Sequence, residues 1–158
     1  MAGHYDDVIV EGRRTLERFR EFRGAHSVIG NALWALGRYN DALAEYEVSW
    51  GAESEYFRVF KAAFERLGPN GAPKAQADRF VEMAKTQDID PLDIAELYAW
   101  AGENDLAFEW LEKAFDVRSA QLLHAPFNPR FLSLRSDPRF EALMQRVGIP
   151  GAVESRAR

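Results

Sequence analysis

The chain has 158 residues, of which 47% are hydrophobic and 13% aromatic, so it can bury a sizeable core and is not a disordered segment. It has no cysteine, which excludes disulfides, thiolate metal sites and cysteine nucleophiles. The net charge of −5 is unevenly spread: residues 24–116 hold seventeen acidic against eight basic side chains, an arrangement that repels phosphate and argues against a nucleic-acid partner.

The first residues, Met1-Ala2-Gly3-His4-Tyr5-Asp6-Asp7, lack the basic start and apolar run of a signal peptide. No apolar run approaches membrane-spanning length, so no membrane partner is expected and a cytoplasmic protein is. From there on the period is helical. Apolar residues recur at three and four, as in Val28, Ile29, Leu33, Leu36 and again in Phe57, Phe60, Phe64, Leu67. Breaks fall at Gly24, Gly37, Gly51, Gly68-Pro69-Asn70-Gly71, Asp90-Pro91 and Gly102. Helices are therefore expected over 4–21, 25–36, 39–50, 53–67, 73–86, 91–101, 104–117 and 138–147.

Two segments share one pattern. Residues 26–46 read His26-x₂-Ile29-Gly30-x₂-Leu33 and then Ala42-x₃-Tyr46; residues 91–111 read Pro91-x₂-Ile94-Ala95-x₂-Tyr98 and then Ala107-x₃-Leu111. Gly30, Ala42, Ala95 and Ala107 are small where paired helices approach, Ser49 and Ala114 continue that seam, and Tyr46 and Leu111 fill the space beside it. The stretches "LGRYNDALAEYE" (36–47) and "AGENDLAFEWLEKAF" (101–115) resemble the turn and second helix of the tetratricopeptide repeat.

That resemblance implies an all-α, right-handed superhelix of stacked hairpins in one domain. Its parts would be a half repeat over 3–22, a repeat over 24–51, a divergent repeat over 53–87 and a repeat over 90–117. A helical cap over 118–150 and a flexible tail over 151–158 would follow. The wording "RFLSLRSDPRFEALMQRVGIP" also resembles the tail of tetratricopeptide regions in bacterial multidomain regulators, among them cyclase-like, kinase-linked and winged-helix proteins.

The doublet Asn128-Pro129-Arg130-Phe131 and Asp137-Pro138-Arg139-Phe140 reads as two helix starts. Asn or Asp caps an exposed amide, Pro takes the first helical position, and Phe turns inward. The seven arginines after residue 116 read as solvated charges around a helical end.

Nothing in the sequence spells an active site. The histidines, His4, His26 and His124, lie apart, and HExxH, GxSxG and Walker patterns are missing, so no enzyme, cofactor or metal is expected. The expected function is non-catalytic binding of a protein or peptide on the concave face, through Asn31, Trp34, Arg58, Glu65, Arg66, Glu96 and Trp100. Trp34 and Trp100 serve equally well as core. The alternatives are an oligomerising module of a signalling or transcription system, and an enzyme with an unrecognised site. The stripe of Val8, Ile9, Leu16 and Phe19 on the half repeat either joins two copies as a homodimer or folds back into the monomer.

Overall fold

The computed structural model describes residues 2–149, with side chains from His4 onward. The expected flexible tail over 151–158 lies outside the described residues. Among these residues the chain is all-α, without a strand. The helices are α1 (Ala2–Arg18), α2 (Arg23–Ala35), α3 (Tyr39–Trp50), α4 (Glu55–Met83), α5 (Pro91–Ala101), α6 (Asn104–Asp116) and α7 (Pro138–Val147). Two 3-10 segments, Ala120–Phe127 and Pro129–Phe131, lie between α6 and α7. The chain divides into two compact units, Met1–Ala62 and Ala63–Arg158. The boundary cuts the expected third repeat.

That repeat also departs from its expected turn. Residues 68–71 carry two glycines, Pro and Asn, yet α4 is broken only at Gly68 (φ 76°, ψ −170°). That backbone region is open to glycine and almost nothing else. Pro69 then starts a new helix, the position where a missing amide costs least. One glycine followed by one proline is thus sufficient, and Asn70 and Gly71 are helical.

In the first unit α1 packs on α2 and α2 on α3. Gly12 sits where α1 crosses α2: a methyl there would come within 2.5 Å of Cγ1 of the fully buried Ile29. Gly30 plays the same part between α2 and α3, where a methyl would lie 2.5 Å from Cε1 of Tyr46. The Tyr46 ring, itself fully buried, stacks on Trp50 at 4.2 Å between centroids and 4° between planes. Phe60 packs against both rings and against Trp34.

The second unit has its own core. Leu92, Ile94, Ala95 and Leu97 of α5 meet Ala107, Leu111 and Ala114 of α6, and Phe131, Leu134, Phe140, Leu143 and Met144 close the cluster. The 3-10 segment Pro129–Phe131 contacts α5, and α7 contacts α6.

The hairpins α2–α3 and α5–α6 turn in the same way. Gly37 donates to the Trp34 carbonyl at 3.0 Å and Arg38 to Leu33 at 2.9 Å; Gly102 donates to Ala99 at 3.1 Å and Glu103 to Tyr98 at 2.9 Å. Both glycines have positive φ, 74° and 82°, and close the helix by the paired end bonds that such a residue allows. Ala42 and Ala107 are both fully buried, so the small-residue seam is present in each hairpin.

Gly30 with Tyr46 and Ala95 with Leu111 occupy matching positions, one pair trading helix spacing for ring volume. Gly30→Ala alone is expected to cost about 1–3 kcal/mol through overpacking. Combined with Tyr46→Leu, which makes room for the methyl, the cost falls well below the sum of the single changes. Urea unfolding of the four proteins in the cycle measures the coupling. Strict additivity would mean that Gly30 is small for some other reason.

Candidate functional site

The residues nominated from sequence fall into three groups. Trp34 is core: it is 8% exposed and its ring lies 5.0 Å from Tyr39 and 5.4 Å from Phe60. Asn31 is half-buried and accepts a hydrogen bond from the Tyr46 hydroxyl at 2.9 Å, which satisfies that buried phenol. Arg58 in the first unit and Glu65 and Arg66 in the second are exposed on α4. In α1, Ile9 is buried and Val8 and Leu16 are half-buried, so much of that stripe packs inside the monomer. Phe19 lies past the end of α1, which stops at Arg18, and is 62% exposed; Phe22 is 55% exposed.

Glu96 and Trp100 lie one turn apart on α5, and they meet the chain's own C-terminal segment. Asn128 Nδ2 donates to Glu96 Oε1 at 2.6 Å, and the Arg130 guanidinium reaches Glu96 Oε2 at 3.3 Å. The same guanidinium lies 4.5 Å from the centre of the Trp100 ring. Stacking on an aromatic face and pairing with a carboxylate are both suited to a planar guanidinium.

This contact is one of three alike. Arg139 donates to Asp105 at 2.9 Å while its guanidinium carbon lies 4.1 Å from the Phe108 ring centre. Arg146 donates to Glu112 at 2.8 Å and lies 4.3 Å from the Phe115 ring centre. In all three the arginine follows its acid by 34 residues, the length of the repeat the sequence resembles. Three of the seven arginines expected to be solvated, Arg130, Arg139 and Arg146, thus pair with the hairpin, although the Arg139 and Arg146 side chains remain about half in solvent. Sequence reading missed them because an acid and an aromatic three or four apart on a helix are common. The regular spacing to Arg130, Arg139 and Arg146 was the available signal.

The doublet itself behaves as two helix starts. Asn128 Oδ1 accepts from the Arg130 amide at 3.0 Å and Asp137 Oδ1 from the Arg139 amide at 2.9 Å. Phe131 and Phe140 are both fully buried, with ring centres 6.2 Å apart. Hydrogen bonds from the Arg139 side chain and amide hold the Asp137 carboxyl below its ordinary value.

The three contacts differ in how wet they are. The Arg139 and Arg146 side chains are about half exposed, whereas Arg130 and Glu96 are 20% and 17% exposed. Burial raises the Glu96 carboxyl above its ordinary 4.5, outweighing the opposing pull of Arg130, and neighbouring Asp93 adds to the rise. Burial likewise raises Asp93, with Asp90 adding and Arg130 opposing. Asp90 caps α5 through the Leu92 amide and also accepts from Ser119 at 2.7 Å and Gln121 at 3.1 Å.

Elsewhere, His26 Nδ1 lies 2.7 Å from Glu45 Oε2 and the Ser27 hydroxyl bonds that of Ser49, tying α2 to α3. Among the described residues no group of three or more His, Asp or Glu side chains is placed to share a metal ion, and no helix is long and apolar enough to cross a membrane. No family model, curated protein or solved structure matches the chain.

The raised carboxyl of Glu96 has a stability consequence with a definite sign. The folded chain binds that proton more tightly than the unfolded one, so the contribution is present below the ordinary glutamate value and is lost as pH rises through the folded value. The stability of the wild type minus that of Glu96→Gln should therefore fall as pH is raised from about 4 to 7. Urea midpoints of the two proteins across that range check it. A difference that grows with pH would mean that the ion pair with Arg130 outweighs burial.

Proposed function

We propose that the chain is a tetratricopeptide-like scaffold that binds a protein or peptide partner without catalysis. The observation that carries this reading is the repetition of one hairpin, with the same pair of end bonds at Gly37 and Gly102 and the same buried alanine at Ala42 and Ala107. The 34-residue offset from α5 and α6 to the cap arginines supports it further, as does the packing of the cap's first element on α5 and of α7 on α6. Helical hairpins of this kind present helix faces for recognition. A cytoplasmic location accords with a chain that has no cysteine.

The contact residue favoured here is Arg58, exposed on α4 in the first unit. Affinity capture from the native host with the full chain is the test. Arg58→Glu should weaken capture by about tenfold or more, because it inverts a charge that a complementary partner must meet. Ala35→Ser, also exposed, should leave capture unchanged. Equal capture by both variants would sink the assignment of this face.

A second reading, self-association, has its own observation: Phe19 and Phe22, in the link between α1 and α2, are both more than half exposed. Two such rings gain burial against a second copy. Light scattering at micromolar concentration should then show a dimer that Phe19→Glu dissociates. A wild-type monomer refutes it.

A further inference from the structure

The contact between Arg130 and α5 differs from its two counterparts in ways that matter for binding. Its aromatic member is Trp100, whose face attracts a cation more strongly than the phenylalanines under Arg139 and Arg146. Its acid is largely shielded from water, while Asp105 is 89% exposed. Its walls are firmly placed, because Glu96 and Trp100 project from a helix that is anchored by buried residues, among them Leu92, Ile94 and Leu97. Two carboxylates, Asp93 and Glu96, lie near the Arg130 guanidinium, a second guanidinium, that of Arg135, is held on the Asn128 carbonyl at 3.0 Å, and burial keeps both carboxyls above their ordinary values.

The segment that supplies the guanidinium has the features of a docked peptide. Asn128 is extended (φ −74°, ψ 119°), Pro129 stiffens the chain, and the following 3-10 turn is three residues long. Phe131 and Leu134, both fully buried, fix the backbone independently of Arg130. The Arg130 side chain can therefore leave while its backbone stays. Asn128 then still holds one oxygen of Glu96.

We infer that Glu96 and Trp100 form a receptor slot for an arginine side chain, and that Arg130 is its resident occupant, exchanged for an arginine carried by a basic segment of the binding partner. The proposal rests on the scaffold reading above and adds the chemistry of the ligand. Arginine is specified over lysine, since an ammonium presents no flat face to the indole and cannot span stacking and pairing at once. Arg130 competes from within the chain at an effective concentration in the millimolar range, so the slot in the wild type is held nearly shut to a short peptide. Replacing Arg130 removes the competitor and leaves the walls intact.

The test is calorimetric titration of the full chain with the peptide acetyl-Asn-Pro-Arg-Phe-amide. Arg130→Ala should bind it at least tenfold more tightly than the wild type. Changing the peptide's arginine to lysine should lose most of that gain, and Glu96→Gln added to Arg130→Ala should abolish it. Equal binding by wild type and Arg130→Ala, or no binding by the folded variant, overturns the slot. Arg130→Gln guards against a folding defect, because it keeps the length and polarity of the head. Failure of that variant to fold also overturns the proposal, since an exchangeable occupant is by definition dispensable. A natural partner captured equally well by wild type and Arg130→Gln would preserve the scaffold function and refute the arginine slot.

Discussion

A hairpin of two amphipathic helices buries one face of each helix against the other and leaves a second face bare. In the C-terminal unit, that constraint governs the segment from Ala120 to Val147. The α5–α6 hairpin presents Leu92, Ile94, Leu97, Phe108 and Leu111, and the chain must supply a cover from its remaining residues. It does so with Phe131, Leu134, Phe140, Leu143 and Met144, each at most 1% exposed. At about 1.5–3 kcal/mol for each fully buried large side chain, these five carry a favourable term comparable with the whole net stability of a domain.

The arginines of that cover act on a different scale. Arg139 and Arg146 form half-exposed pairs of the sort that add little net stability, and each also lies over a phenylalanine ring of α6. They are too weak to hold the cover in place but strong enough to choose its register. A slip of the segment along the hairpin would part three guanidinia from three acids and three rings together. Arg130 differs in that its acid is largely shielded from water, so the gain from pairing is offset by the cost of burying the carboxylate. Stability therefore lives in the phenylalanines of the doublet and specificity in its arginines, which explains why the doublet keeps both.

Much of this was legible in the sequence, for a physical reason. Close helix approach demands small residues at fixed spacing, so Gly30, Ala42, Ala95 and Ala107 announce the seams, and Gly37 and Gly102 announce the turns. The doublet announces its two helix starts because Asn or Asp before Pro is a local device. What was hidden depends on tertiary placement. Trp34 on a helix with an apolar period has no local mark that separates groove from core; the Tyr46 and Phe60 rings decide it. Glu96 and Trp100 look like surface recognition residues until residues 128–130, more than thirty positions later, are folded onto them. The break in α4 was placed too broadly because four turn-forming residues in a row suggest a loop, although Gly68 alone bears the left-handed backbone.

The most direct test of this account is the thermal unfolding of a chain ending at residue 126, followed by circular dichroism beside the intact protein. Its premise is that the C-terminal segment completes the core of the second unit. The account predicts that the shortened chain loses the cooperative transition of that unit, with a drop in stability of several kcal/mol, because five large buried side chains are removed together. A shortened chain that melts at the same temperature with the same cooperativity would contradict it. The α5–α6 hairpin would then need no cover, and the arginine contacts would be decoration on a finished core.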